Sequence, residues 1–213
     1  MIDWPLYAAF VGFALTAGFT PGPNNFMLLS SGALFGMRRT TPHILGIAVG
    51  FPIVMLAAMF GMGVVIDLFP WLLTIVKVAG AAWLAWLGFK FLKAALLHKR
   101  YAKEPTKKSQ QQERSRPFKF YEAVLFQWVN PKGLIMALAT ASAYVGISDD
   151  FQLRTLMICG TFFLVSLSSA STWAIGGSAL NRLMSQGGSA VILNFIMSLL
   201  LLATALMILM AHT

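Results

Sequence analysis

The run Thr20-Pro21-Gly22-Pro23-Asn24-Asn25 lies between two apolar stretches, and its reading decides the fold. Two prolines and a glycine remove backbone donors and break a helix that reaches them. The flanks extend the apolar stretch from Leu6 to Phe35, about 30 residues, or ~45 Å as one helix against a ~30 Å hydrocarbon core. The excess fits a spanning helix that is interrupted and re-aimed at its prolines. Lipid cannot satisfy the carbonyls such a break releases, so it persists only where protein or a polar cavity does. A second break, Asn130-Pro131-Lys132-Gly133, opens the other half of the chain at a similar place. Paired interruptions in two halves point to a transporter's substrate site.

The rest of the chain is predicted to be a membrane bundle. It is 58% hydrophobic and only 11% charged, with a mean hydropathy of +0.74, against roughly 25% charged residues for a soluble domain. Five more apolar stretches follow the first: Ile44–Ile66, Phe69–Leu97, Phe118–Gly146, Leu156–Gly177 and Ala190–Ala211. Each reaches the ~20 residues that cross a bilayer. The N-terminus carries Asp3 and no Lys or Arg before the first stretch, unlike a cleaved signal, so the first helix is expected to be kept.

The net charge of +9 is concentrated. Lys90, Lys93, Lys99, Arg100, Lys103, Lys107, Lys108, Arg114, Arg116 and Lys119 flank or fill one connection; Arg38 and Arg39 lie in another and Arg182 in a third. The opposite connections hold Asp3, Asp67, Asp149 and Asp150, with Arg154 alone among cations. That asymmetry places the N- and C-termini outside and the basic connections in the cytoplasm. Anionic lipid is the expected partner of the basic loop, and nucleic acid is not. The polar segment from 98 to 117 reads as a flexible linker. It divides the chain into residues 1–97 and 118–213, three helices each. Three is odd, so the second half enters the membrane from the opposite side. The expected fold is therefore all-α, six transmembrane helices in two inverted three-helix repeats with helices 1 and 4 broken.

Few groups carry chemistry. Cys159 is the lone cysteine, which excludes an intrachain disulfide and any CxxC site. His43, His98 and His212 show no metal spacing, and no nucleophile–base set or phosphate loop can be assembled, so neither an enzyme nor a cofactor is expected. A broken helix instead offers two new ends at membrane depth. Around Ala17 to Phe19 there are free carbonyls; around Asn24 to Met27 there are free N–H groups. Together they suit a zwitterion, carboxylate at the N–H end and ammonium at the carbonyls. Asn24 and Asn25 add amides; the competing reading is a proline kink that shapes packing alone. Lys132 is costly ~18 Å into its helix. It fits a partner for a substrate carboxylate, a proton carrier, or a snorkelling lysine near a helix end. Asp67 and Glu122 read as interfacial. Gly46 and Gly50, one turn apart, read as helix packing or as room for the broken segment to move. Glycine-faced helices also permit a homodimer.

These pieces resemble the lysine exporter family of amino-acid efflux proteins. The matching residues are Thr20-Pro21-Gly22-Pro23-Asn24-Asn25, Leu45-Gly46-Ile47-Ala48-Val49-Gly50, the segment from Lys77 to Gly88, and Asn130-Pro131-Lys132. The resemblance covers essentially the whole chain. It implies export of amino acids driven by the proton motive force across the bacterial cytoplasmic membrane. Thr20, Pro21, Gly22, Pro23, Asn24, Asn25, Gly46, Gly50, Asn130, Pro131 and Lys132 are then the expected substrate-binding residues. Lysine-exporting members carry an aspartate close to where this chain has Phe51-Pro52. Its absence favours a neutral or small polar amino acid, and the motifs look most like the cysteine/O-acetylserine branch. A passive channel or lipid-handling protein, and a scaffold acting through its basic linker, are the readings from other classes.

Overall fold

In a computed structural model, which describes residues 1–101, 116–184 and 189–210, the chain is helical nearly throughout. Helix α1 spans Trp4–Phe19, α2 Pro23–Ala57, α3 Gly63–Leu68, α4 Trp71–Tyr101, α5 Phe120–Phe126, α6 Pro131–Ala143, α7 Phe151–Met184 and α8 Ser189–Met210. The core of the basic linker, 102–115, lies outside the described residues. Long apolar runs at Pro23–Leu68, Thr74–Lys93 and Phe151–Leu180 are of membrane-crossing length and composition, with shorter apolar helices at Trp4–Phe19 and Asn194–Met210. The outer surface is correspondingly greasy: Leu156 is 70% exposed and Met207 71%. Side chains of that kind left bare in water would make a sticky patch, whereas lipid solvates them. This is an all-α membrane protein.

The first break falls where the prolines put it. Asp3 caps α1, its carboxylate accepting from Leu6 N at 2.9 Å, and the helix ends at Phe19. Thr20 and Gly22 are extended before α2 starts at Pro23, a position where proline's missing N–H costs nothing. The second break is built alike. A single 3-10 turn, Gln127–Val129, tightens the end of α5. Asn130 then turns extended ahead of Pro131, as a residue before proline must.

Helix α2 is two helices in one. At ~1.5 Å per residue its 35 residues are too long for one crossing, and at Gly36 the backbone takes φ +74°. Across that point the Ser31 and Thr40 hydroxyls lie 2.9 Å apart, although nine helical residues would separate them by ~13 Å. The helix therefore folds back on itself. Thr40 also donates to Gly36 O at 2.9 Å, fixing the corner.

Close helix approach uses bare backbone. A Cβ on Gly32 would lie 2.1 Å from Ala174 O, and one on Gly177 1.9 Å from Leu29 O. The first limb of α2 and α7 therefore touch main chain to main chain, and Ser178 Oγ donates to Gly32 O at 3.0 Å. On the other side α4 pairs with α8, with Ala81, Leu84, Leu201 and Ala205 buried between them. The N-terminus is tied to the connection between α6 and α7: Asp3 N donates to Ile147 O at 2.9 Å, and Met1 N lies 3.2 Å from Asp149 Oδ2. Asp3, Asp149 and Asp150 thus sit at one end of the bundle.

Candidate functional site

The two breaks, more than a hundred residues apart in sequence, meet at one cavity of about 60 Å³. A single water centre needs roughly 10–15 Å³, so the space suits a small polar solute. Its walls are the end of α1 at Ala17 and Gly18, the start of α2 from Gly22 to Asn25, Gln127 and Asn130, the start of α6 at Lys132 and Gly133, and α7 at Ser166 and Ser169. The hydrogen-bond ladders of α2 and α6 begin with Phe26 N to Gly22 O and Leu134 N to Asn130 O, both 3.0 Å. The N–H groups of Asn24, Asn25, Lys132 and Gly133 precede those first bonds. Two helix N-termini and one lysine therefore converge, and no acidic residue is among those lining the space. The field there favours an anion.

At the carbonyl end of α1, Gly18 O and the Thr20 O just beyond it are engaged by side chains. Asn25 Nδ2 donates to Thr20 O at 2.9 Å and to Gly18 O at 3.3 Å. Ser169 Oγ, from α7, also donates to Gly18 O, at 2.8 Å. Lys132 Nζ reaches Thr20 O at 2.5 Å. Those two carbonyls already have donors from the protein, so they are not waiting for an ammonium. Asn25 serves as a cap that holds the break in shape.

Two other amides are less satisfied. Asn24 Nδ2 donates to Gln127 Oε1 at 2.8 Å, while Asn24 Oδ1 is buried with no partner. Asn130, only 4% exposed, likewise has a buried Oδ1 with no partner. A buried amide oxygen left without a donor is rare in native structures and marks a place where a ligand or water belongs.

The other expected residues fall into two groups. Gly22 lines the cavity because it makes room: a Cβ there would lie 2.9 Å from Lys132 Cδ. Pro21 and Pro131 instead line a second, apolar cleft of about 610 Å³, walled by α2 and α6 on one side and α4 and α8 on the other. Lys132 borders both spaces. Thr20 contributes its carbonyl alone. Gly46 and Gly50 do not line the cavity; a Cβ on them would strike Phe120 O at 2.4 Å and Val124 Cα at 2.8 Å. They let α5 lie against the second limb of α2.

Phe51, of the Phe51-Pro52 pair close to which lysine exporters are expected to carry an aspartate, is 5% exposed and lines the cavity. Its ring meets Phe162 edge-on at 4.9 Å, and Phe162 meets Phe10 at 5.3 Å. These rings make an apolar wall on that side of the cavity. Gln127, which sequence reasoning missed, is 1% exposed and lies at the centre of the amide cluster. A glutamine three residues before Asn130 in an apolar run was the available signal. Among the described residues no cluster of three or more metal-ligating side chains is present.

The chain matches the family model described as LysE type translocator over residues 15–212. It is 30% identical over 205 residues to the cysteine/O-acetylserine efflux protein of Escherichia coli (strain K12), covering 95% of this chain and 97% of that protein. The cysteine/O-acetylserine efflux protein of Shigella sonnei (strain Ss046) matches with the same identity and coverage. No solved structure matches the chain.

Proposed function

The chain belongs to the LysE type translocator family, and from that membership we propose that it exports a small polar amino acid such as cysteine or O-acetylserine, or threonine or homoserine, from the cytoplasm. The observation that carries the reading is the meeting of both breaks at one small cavity with two helix N-termini, Lys132 and no lining carboxylate. The substrate carboxylate sits among the N–H groups of Asn24, Asn25, Lys132 and Gly133, with the Lys132 ammonium as its counter-ion. Phe51 and the rings behind it favour a neutral side chain over a cationic one, since a buried cation would have no partner there. The names of the relatives agree with that preference.

The same reading assigns the six apolar stretches to six spans in two inverted repeats, residues 1–97 and 118–213, joined by the basic cytoplasmic linker. Both termini face outward from the bacterial cytoplasmic membrane. The halves rock about the site in alternating access, with protons as the coupling ion, and the basic loop rests on anionic lipid. The shared end of Asp3 and Asp149 supports this orientation, because it puts the acidic connections on one side.

Efflux of preloaded labelled amino acids from cells with and without the protein tests the proposal. The panel is cysteine, O-acetylserine, threonine, homoserine, leucine and lysine. Uncoupler-sensitive loss of one or a few small polar members is expected. Indifference of the flux to an uncoupler would remove the proton coupling. Unchanged retention of every member, from protein shown to be in the membrane, would remove the export reading.

A further inference from the structure

We infer that Gln127 is a positioning residue that makes Asn24 an obligate hydrogen-bond acceptor toward the cavity, and so gives the site its recognition of the substrate's α-ammonium group. The inference rests on the export reading and goes beyond it, because Gly18 O and Thr20 O at the end of α1 already hold donors from the protein and the ammonium needs other acceptors.

The polarity of the two amides is forced. A primary amide has one accepting and one donating end, and which end points where is set by its neighbours. The Ala123 carbonyl can only accept, and Gln127 Nε2 donates to it at 2.8 Å. Gln127 must then present Oε1 to its other neighbour, Asn24, and only the Nδ2 end of Asn24 can meet it, at 2.8 Å. Asn24 Oδ1 is thereby left buried, without a partner, on a residue that lines the cavity. A backbone carbonyl on α5 thus dictates, through two amides, that this cavity-lining residue keeps its oxygen, and not its NH2, free of any protein partner. Asn130 Oδ1, also buried and unpartnered, supplies a second acceptor from the opposite break. An ammonium group has three donors and no acceptor, and matches a pair of such oxygens.

Local packing holds the relay in place. Gln127 is 1% exposed, and Gly50 leaves room for it, since a Cβ there would lie 3.0 Å from Gln127 Cγ. Gly133 does the same for Asn130, with 3.3 Å to its Nδ2. Without the glutamine, the Asn24 amide is free to turn over and offer a donor. The cavity would then keep only the Asn130 oxygen to prefer an amino acid over the same acid lacking its amine.

The test uses the full-length protein in proteoliposomes loaded with labelled cysteine under reducing conditions. Unlabelled cysteine and 3-mercaptopropionate, which is cysteine without its ammonium, compete for efflux. The wild-type protein is expected to prefer cysteine by roughly ten- to a hundredfold, the worth of a hydrogen bond to a charged group. Gln127→Met and Gln127→Ala, whichever is recovered in the membrane, should lower that ratio severalfold, leaving the share that Asn130 Oδ1 supplies. Gln127→Glu, whose protonated carboxyl can donate to Ala123 O and accept from Asn24, should keep most of it. A merely structural role would lower the rate and leave the ratio alone. An apolar variant that retains the wild-type ratio overturns the inference. If the wild-type protein moves none of a panel of amino acids, the export reading fails, and this inference fails with it.

Discussion

Lys132 is the residue on which most of the proposed chemistry turns. Its Nζ lies on Thr20 O, and its stem crosses the backbone of Gly22 so closely that a Cβ there would touch it. Replacing it with methionine keeps the stem and removes the charge. We expect Lys132→Met to raise the KM for efflux by roughly ten- to a hundredfold, as the loss of a charge-assisted bond requires, with the protein still present in the membrane; a radiolabel efflux titration reads this directly. An unaltered KM would assign the lysine to another task. Lys132 and Asn24 were legible in sequence because a charge or a polar pair is out of place in an apolar run. Asn25 was legible as a polar residue of the break but not as a cap, and Gln127 was not separable from its background. One caps carbonyls and the other steers a neighbour, and both roles depend on which backbone oxygen lies within 3 Å, which no linear pattern encodes.

Among the elements, the two breaks were the most readable, since proline fixes where a helix starts whatever surrounds it. The corner in α2 was not. The segment Gly36-Met37-Arg38-Arg39-Thr40-Thr41-Pro42-His43 is polar and carries a proline, so it reads as a loop between Phe35 and Ile44. In the structure helix resumes directly after Gly36, and the reversal is confined to that one residue and its Thr40 cap. Gly36→Ala should cost about 1–3 kcal/mol, because a β-carbon at φ +74° is strained even with space around it. Gly177→Ala should cost a similar ~1–3 kcal/mol for a different reason, overpacking against Leu29 O. Gly160→Ala, helical and with nothing within 4 Å, should be neutral or slightly stabilising. Thermal unfolding of the three variants in detergent orders them, and equal midpoints would contradict both explanations.

Over the whole molecule, α4 and α8 form a pair set against the remaining helices across the 610 Å³ apolar cleft. The cleft reaches Pro21, Pro131 and Lys132, the reverse side of both breaks. If transport requires that pair to move against the rest, a wedge should slow it without touching the polar cavity. Ala203→Trp, on the α8 wall, is expected to lower the maximal efflux rate severalfold with KM unchanged; a wild-type rate would mean the cleft keeps its shape throughout the cycle. Composition and charge placement made the membrane class readable from sequence. The cleft was not, because it depends on how two helices distant in sequence lean together, and their apolar faces look alike whether they meet helix or lipid. The bond from Lys132 to Thr20 bears on the behaviour of the whole carrier. On the proposed reading the Lys132 ammonium serves the solute's carboxylate, so a solute that takes it competes with the bond to Thr20 O, and binding is weaker than the ammonium alone would give. A carrier with such a built-in competitor would idle while its solute is scarce and run when the solute builds up. If Lys132 holds the solute as proposed, the protein would work as a relief valve with its opening pressure set by one lysine, venting surplus and sparing the pool a cell needs for growth.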